Sequence, residues 1–230
     1  MNKKLGLITG SLHFEPSELG KFVEHELETS YGLVTYHESD KFILINRHGK
    51  SKNVPPHNIN HHANISVFSK LKIKKVIAIS SVGSLNAELK PPMFILPDDY
   101  VNLWDIPTFF DNEIKHITPG LDKTLTEKLY RIMKKLNLLV VKGGIYIQTH
   151  GPRLETKAEI DLLKNYGDVI GMTMAAEATL AKEKKLKFAN ISSIDNYCHG
   201  ITPEPLNFET IKENQKKSSE DILMILKAIE

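Results

Sequence analysis

The chain has 230 residues, and its 30 lysines and arginines nearly balance its 28 aspartates and glutamates, which gives a net charge of +2. That balance argues against a nucleic-acid-binding protein, which usually carries a strong basic excess. Ordinary apolar content excludes disorder, and the apolar runs are far shorter than the roughly 20 residues of a membrane span. The single cysteine, Cys198, excludes an internal disulfide framework and favours a reducing cytoplasm.

Short β-branched segments alternate with helical patterns along the chain. The predicted strands cover residues 5–9, 42–46, 76–80, 144–148, 168–171 and 188–194. They lack polar alternation, which is typical of strands that are buried on both faces. An antiparallel hairpin of two short strands is expected between Tyr31 and Ile45.

Helical patterns fill the intervals between the strands. Apolar residues that step by three and four positions indicate an amphipathic helix before the fourth strand. The predicted helices cover residues 121–136, a segment after Thr156, residues 174–185 and residues 207–229, with Asn207 as an N-cap. This alternation predicts one α/β domain over residues 1–230, with a central mixed sheet flanked by helices.

Polar and small residues collect where the predicted strands end. In open α/β sheets, ligands bind beyond the carboxyl ends of the strands. These segments are residues 10–11, 47–49, 80–84, 151–153, 171–173 and 195–196. Arg47, His48, small hydroxyls and glycine-flanked backbone N–H groups can together hold an anion. The residues by themselves therefore indicate an α/β enzyme with an anionic ligand.

Several ordered motifs are more specific than these loops. They are RHG at 47–49, PPH at 55–57, NHHAN at 60–64, SSVGSL at 80–85, PTFFD at 107–111 followed by His116, GPRLET at 151–156 and GMT at 171–173. Together they resemble the trimeric purine nucleoside phosphorylase and methylthioadenosine phosphorylase family over nearly the whole chain. The resemblance implies the nucleoside phosphorylase fold, a homotrimer, and no cofactor, with inorganic phosphate as a co-substrate.

The family cleaves the N-glycosidic bond of a nucleoside with phosphate, through a transition state that resembles an oxocarbenium ion. Catalysis then consists of holding phosphate near C1′ and stabilising the charge that builds on the purine. By resemblance, the phosphate ligands are Ser11, Arg47, His48, Ser80, Ser81 and Thr173. Met172 is expected to contact the ribose. The resemblance implies that Asn196, Glu155 and His48 are the catalytic residues.

Glu155 favours a 6-oxopurine base. An ionised carboxylate only accepts hydrogen bonds, so it suits the N1–H of hypoxanthine or guanine and opposes the lone pair of adenine N1. An unmatched buried acceptor costs about 1–3 kcal/mol. Asn196 can serve either base because its amide both donates and accepts. Leucine at position 154, within GPRLET, is similar to the residue that methylthioinosine phosphorylases have there. Asp195 is expected either to be structural or to contact the base.

The 5′ end of the nucleoside is expected to meet apolar residues. By resemblance, Phe208 stands where enzymes for ordinary nucleosides have a histidine, and Ile211 follows one turn later. Two apolar side chains suit a 5′-methylthio group, which favours 5′-methylthioinosine as the substrate. His116, which resembles a histidine lent by a neighbouring subunit, is also expected to close this pocket.

Other interpretations carry less weight. His57 and His61 are four residues apart and are expected on one helix, and with His62 they suggest a metal, but no third carboxylate or cysteine completes a site. Cys198 and His199 suggest a thiol nucleophile, yet adjacent residues rarely face each other. The remaining hypotheses are a methylthioadenosine phosphorylase and a non-catalytic nucleoside-binding protein. The presence of Arg47 and Asn196 argues against the latter.

Overall fold

The computed structural model describes residues 4–11 and 15–229. Within that part of the chain, eleven strands form one sheet and five α-helices pack on it. The strands are β1 (Leu5–Thr9), β2 (Val23–Thr29), β3 (Gly32–Glu38), β4 (Phe42–Asn46), β5 (Lys75–Ser84), β6 (Met93–Leu96), β7 (Asp99–Asn102), β8 (Val140–Lys142), β9 (Ile145–Gln148), β10 (Val169–Gly171) and β11 (Lys187–Tyr197). The helices are α1 (His61–Lys70), α2 (Lys123–Lys135), α3 (Lys157–Leu163), α4 (Met174–Glu183) and α5 (Phe208–Lys227).

The sheet is mixed, and β5 lies at its centre. β1 is parallel to both β4 and β5, and β11 is parallel to β5 along almost its whole length. β10 pairs antiparallel with the C-terminal end of β5, at Gly83 and Ser84. The sheet continues from β10 through β9 to β7. The predicted α/β fold with a central mixed sheet is therefore confirmed.

The sheet buries both of its faces, as the absence of alternation predicted. Successive residues of β4 point to opposite sides, so Ile43 and Ile45 pack with α1 and α4, whereas Phe42 and Leu44 pack with α2 and α5. Each face carries a cluster of buried aliphatic and aromatic side chains. Within the described part of the chain, no helix has the length and apolar content needed to cross a membrane.

Two strands extend beyond their predicted ends. The sequence predicted that β5 stops at Ser80 and β11 at Ile194, but they continue to Ser84 and Tyr197. The two extensions pair with each other, with a register shift between Ile194 and Asn196, and this pairing satisfies their backbone groups. The small polar residues expected in loops therefore lie on paired strands.

The helix starts follow local capping rules. Asn207 Oδ1 accepts from the backbone N–H of Glu209 at 2.8 Å, which confirms it as the N-cap of α5. Thr156 caps α3, and Glu159 closes a capping box with it.

The sequence analysis missed the strands β2, β6, β7 and β8, and the helix that it expected to hold both His57 and His61 begins only at His61, as α1. The expected hairpin is a larger unit in which β3 pairs antiparallel with both β2 and β4. His61 begins α1, whereas His57 lies in the separate 3₁₀ turn Pro56–Asn58. The two histidines therefore do not share a helix.

Candidate active site

A cavity of about 340 Å³ opens at the ends of β1, β4, β5, β10 and β11. It brings together residues from six separated parts of the chain, at positions 11, 47–56, 81–83, 154–155, 170–173 and 196–215. Eleven of the predicted site residues line it: Ser11, Arg47, His48, Ser81, Leu154, Glu155, Met172, Thr173, Asn196, Phe208 and Ile211. After the ligands that the sequence analysis predicts for them, we call the part around Arg47, His48 and Thr173 the phosphate half and the part around Glu155 and Asn196 the purine half.

Arg47 is held by the protein on several sides. Its Nε and Nη2 donate to the two carboxylate oxygens of Glu177 at 2.6 and 3.2 Å, and its Nη1 donates to the carbonyl of Ile79 at 2.8 Å. Nη2 also faces the carbonyl of Ile8 at 3.5 Å. Of the five N–H donors of arginine, these contacts leave one on Nη1.

The remaining donor of Arg47 faces the turn after β1. A Cβ atom on Gly10 would collide with Arg47 Nη1. Only glycine therefore lets the backbone of this turn approach the guanidinium. Arg47 contributes one N–H and its charge to the phosphate half, because its fork is engaged by Glu177.

His48 is fixed as a neutral ring. Its Nδ1 lies 2.7 Å from the carbonyl of Val54, which can only accept, so Nδ1 carries the proton. Burial lowers the pKa of His48, the charge of Arg47 lowers it further, and the Val54 carbonyl opposes both. Nε2 is therefore an acceptor, and it lies next to Gly10 on the phosphate half.

Thr173 is the N-cap residue of α4, and it lines the cavity together with Arg47. The residue is buried, and its hydroxyl makes no capping bond. The positive end of the helix dipole favours an anion here. The hydroxyl of Tyr146 accepts from the backbone N–H of Thr173 at 3.3 Å.

Glu155 and Asn196 lie in the purine half. Thr149 donates to Glu155 Oε1 at 2.6 Å, which fixes the carboxylate and leaves Oε2 for a ligand. Asn196 Nδ2 donates to the carbonyl of Tyr197 at 2.8 Å. Cys198 lines the cavity beside them, and burial, with the negative charge of Glu155, raises the pKa of its thiol, which stays neutral.

Gly83 makes room for this group of side chains. A Cβ atom on Gly83 would lie 2.6 Å from Cys198 Sγ and 3.3 Å from Asn196 Nδ2. Glycine at this strand position therefore admits the thiol and the amide to the cavity wall.

Helix α5 supplies one wall with side chains at helical spacing. Phe208, Ile211, Lys212 and Gln215 all line the cavity, at positions i, i+3, i+4 and i+7. Phe208 and Ile211 give this wall the predicted apolar character. The sequence analysis missed Lys212 and Gln215, although extending the spacing from Phe208 would have indicated both.

Three predicted site residues lie outside the cavity. Successive side chains of a strand point to opposite sides, so Ser81 faces the cavity while Ser80 turns inward and accepts from Asn190 Nδ2 at 2.9 Å. Asp195 is fully buried behind the wall. His116 lies exposed on the segment between β7 and α2. These placements do not support a direct role for Ser80 or Asp195 as a ligand, or for His116 within its own chain.

Asp195 is an unusual buried carboxylate. Ser193 and Ser218 donate to its Oδ1, and Asn214 donates to its backbone carbonyl at 2.9 Å. Its Oδ2 makes no hydrogen bond to any described residue. Burial raises the pKa of Asp195 to about 6, while the neighbouring hydroxyls and the Gln215 amide act in the opposite direction.

The histidines considered for a metal serve other contacts. His61 is buried 3.8 Å from Glu177, and its burial next to the charge of Arg47 lowers its pKa to about 3. His62 contacts the carbonyl of Thr108 at 2.7 Å. Residues 4–11 and 15–229 contain no cluster of three or more histidine, cysteine, aspartate or glutamate side chains placed to hold a metal ion.

The match to known proteins covers almost the whole chain. Residues 4–229 match the Phosphorylase superfamily. The chain belongs to this superfamily. The resemblance carried by the sequence motifs is thereby confirmed.

Curated relatives align over similar spans. The chain is 38% identical over 227 residues to a probable 6-oxopurine nucleoside phosphorylase of Archaeoglobus fulgidus, covering 96% of this chain and 93% of the relative. It is 37% identical over 211 residues to a probable S-methyl-5′-thioinosine phosphorylase of Methanocaldococcus jannaschii, covering 88% and 83%. A methylthioadenosine phosphorylase of Schistosoma mansoni in complex with adenine has the same fold, with a TM-score of 0.86 at 22% identity and coverage of 97% and 89%.

Proposed function

We propose that this protein is a purine nucleoside phosphorylase that prefers 5′-methylthioinosine. It converts 5′-methylthioinosine and phosphate into hypoxanthine and 5-methylthioribose 1-phosphate. The observation that carries the proposal is a single cavity that is lined by Arg47, His48 and Thr173 and also by Met172, Glu155 and Asn196. An anion site and a purine site so placed can hold both substrates on opposite sides of the sugar carbon.

The phosphate half suits hydrogen phosphate. Arg47 Nη1, the hydroxyls of Ser11, Ser81 and Thr173, and the N-terminus of α4 supply donors and positive potential. Neutral His48 accepts at Nε2, so it suits the one protonated oxygen of hydrogen phosphate. Phosphate is thereby oriented with an unprotonated oxygen free to attack C1′.

The reaction forms a bond from a phosphate oxygen to C1′ and breaks the bond from C1′ to N9. The electron pair of the broken bond stays on the purine, where the amide of Asn196 stabilises the growing negative charge. Hydrogen phosphate loses one proton as the sugar phosphate forms, and the departing hypoxanthine takes one up, so the protons balance. No group outside the two substrates and these side chains is needed.

The purine half favours a 6-oxopurine. Thr149 already donates to Oε1 of Glu155, so the carboxylate offers Oε2 as an acceptor to the N1–H of hypoxanthine. Adenine presents a lone pair at N1 and would leave this acceptor unmatched. The 6-oxopurine enzyme named among the relatives supports this assignment. Adenine release from methylthioadenosine is the second candidate, because Asn196 can present either end of its amide.

The 5′ substituent is expected against α5. Phe208 and Ile211 offer apolar surface to a methylthio group, and neither can hydrogen-bond a 5′-hydroxyl. The methylthioinosine enzyme among the relatives supports this choice. By family resemblance we further propose a cytoplasmic homotrimer that uses no cofactor, in which a neighbouring subunit contributes its His116 to close the pocket.

The test is release of free base from 5′-methylthioinosine, with and without phosphate. We expect hypoxanthine only when phosphate is present, together with an equal amount of 5-methylthioribose 1-phosphate. Base release at the same rate without phosphate identifies a hydrolase and refutes the proposal. An absence of release, with nucleoside binding retained, identifies a non-catalytic binding protein and also refutes it.

A further inference from the structure

Without Lys212, the charges around the cavity would disfavour an anion. Apart from histidines, the described residues that line it include three charged side chains, those of Arg47, Glu155 and Lys212. Arg47 is buried in an ion pair with Glu177, which offsets most of its charge at a distance. The ionised carboxylate of Glu155 would then leave the cavity with a net negative charge.

A buried carboxylate adds to this negative potential. Asp195 lies behind the cavity wall, where burial raises its pKa to about 6 and the hydroxyl of Ser81 and the amide of Gln215 are among the groups that lower it. When ionised, Asp195 places a second negative charge close to Ser81, a predicted phosphate ligand. Hydrogen phosphate is itself a dianion, so its binding here requires a positive charge that no carboxylate already engages.

Lys212 carries such a charge. Its side chain is exposed and lines the cavity. Within residues 4–11 and 15–229, no hydrogen bond or ion pair joins it to another side chain or to the backbone. An ammonium group donates up to three hydrogen bonds and accepts none, so an anion is the ligand that suits it.

The place of Lys212 on α5 brings it within reach of the phosphate half. Phe208 lies one turn before it, and Gln215, three residues after it, donates to Ser81 Oγ at 3.1 Å. Residues three apart lie on the same face of a helix, with a rise of about 4.5 Å between them. The flexible four-carbon stem of lysine can span that rise, so its ammonium group can reach an anion bound beside Ser81.

We propose that Lys212 is a phosphate-binding residue, whose ammonium group donates to an oxygen of hydrogen phosphate held by Arg47 and Ser81. It supplies the positive charge that the Arg47–Glu177 pair lacks. The core fixes the remaining N–H of Arg47, which orients the phosphate, whereas Lys212 contributes charge on a flexible stem. This inference rests on the proposed function and adds to the phosphate site a residue of α5, the helix that the sequence analysis assigned to the 5′ substituent.

The experiment compares Lys212→Met with Lys217→Met in the full chain. Lys217 is an exposed lysine of the same helix outside the cavity, so the two variants lose the same charge. For Lys212→Met we expect the KM for phosphate to rise about five-fold or more, since a charge-assisted hydrogen bond to the ligand is lost from a partly exposed site. The KM for the nucleoside stays within about two-fold, and Lys217→Met changes neither value.

Two further variants separate charge from shape. Lys212→Arg keeps the charge, and its KM for phosphate should stay within about three-fold of the wild type. Lys212→Gln can still donate a hydrogen bond but has no charge, so it should behave like Lys212→Met. An unchanged phosphate KM in Lys212→Met overturns the inference. A rise in the nucleoside KM alone, or an equal loss in Lys212→Arg and Lys212→Met, also overturns it.

Phosphate binding without turnover keeps this test apart from the proposed function. Inorganic phosphate should raise the thermal midpoint of the wild type more than that of Lys212→Met. If the wild type binds phosphate in this way but does not cleave nucleosides, the proposed function fails while the role of Lys212 stands. If the wild type cleaves with phosphate and Lys212→Met responds to phosphate equally, the role of Lys212 fails and the function stands.

Discussion

The phosphate half and the purine half of the cavity are held in place by different kinds of contact. Arg47 and Glu177 are almost fully buried, and they join segments 130 residues apart through two hydrogen bonds. Glu155 is half-buried, and a single hydroxyl from Thr149 fixes it. The proposed phosphate site is thus built on a contact in the core, whereas Glu155 of the proposed purine site lies on a half-buried segment that can change at less cost to the fold.

The largest expected effect is the loss of stability when Arg47 is removed from the phosphate half. Arg47→Ala leaves Glu177 buried without a counter-charge, which should lower the free energy of unfolding by about 3–5 kcal/mol. Chemical denaturation measures this loss. The matched control is Arg153→Ala, which breaks the exposed pair with Glu159 and should change stability little. Equal losses in the two variants would contradict the contrast between the buried and exposed pairs.

The next largest effect concerns the carboxylate of Asp195, which is buried behind the cavity wall. The pKa of Asp195 rises from 3.8 to about 6, which corresponds to roughly 3 kcal/mol. Folded Asp195 binds its proton more tightly than the unfolded chain does, so its ionisation costs stability above pH 6, and that cost disappears as the pH falls toward 4. Asp195→Asn should therefore be more stable than the wild type at pH 7.5 and equal to it near pH 4. Denaturation curves at both pH values check this, and a variant that is less stable at pH 7.5 contradicts the sign.

A smaller effect is expected on the choice of purine, which we assign to Glu155. In Glu155→Gln the amide can turn and donate to adenine N1, so the ratio of kcat/KM for methylthioinosine to that for methylthioadenosine should fall about 10- to 100-fold. Steady-state kinetics with both nucleosides measure the ratio. Glu159→Gln, at the start of α3 and outside the cavity, is the control and should keep the wild-type ratio.

The smallest effect is expected at the 5′ wall. Phe208→His introduces a ring that can hydrogen-bond a 5′-hydroxyl, so the kcat/KM for inosine relative to methylthioinosine should rise by up to about ten-fold. Met224→His, at an exposed position of the same helix but outside the cavity, should leave the ratio unchanged. An unchanged ratio in Phe208→His would contradict the placement of the 5′ substituent against Phe208. It would not affect the placement of the purine against Glu155.

Much of the architecture follows from the sequence because each strand interior is uniformly apolar and each helix has a stripe and a cap. β1 and β4 begin and end where predicted, and Asn207 caps α5. The ends of β5 and β11 could not be predicted in this way, since their polar residues resemble a turn. Only the pairing of one extension with the other makes these residues strand.

The candidate site was predicted better in its membership than in its internal contacts. The ordered motifs and the family resemblance together located eleven of its side chains, but alternation on β5 excludes Ser80 from the cavity. The partner of Arg47 lies on α4, and sequence spacing cannot reveal a contact across 130 residues. Glu177 has a structural role, which is to hold Arg47.

The most direct test of the account compares two nucleosides that differ only in the purine. Purified protein is given phosphate with either 5′-methylthioinosine or 5′-methylthioadenosine, and the released base and the sugar phosphate are both quantified. We expect kcat/KM for methylthioinosine to exceed that for methylthioadenosine by about ten-fold or more, since Glu155 matches only the former at N1. Faster release of adenine than of hypoxanthine would contradict it.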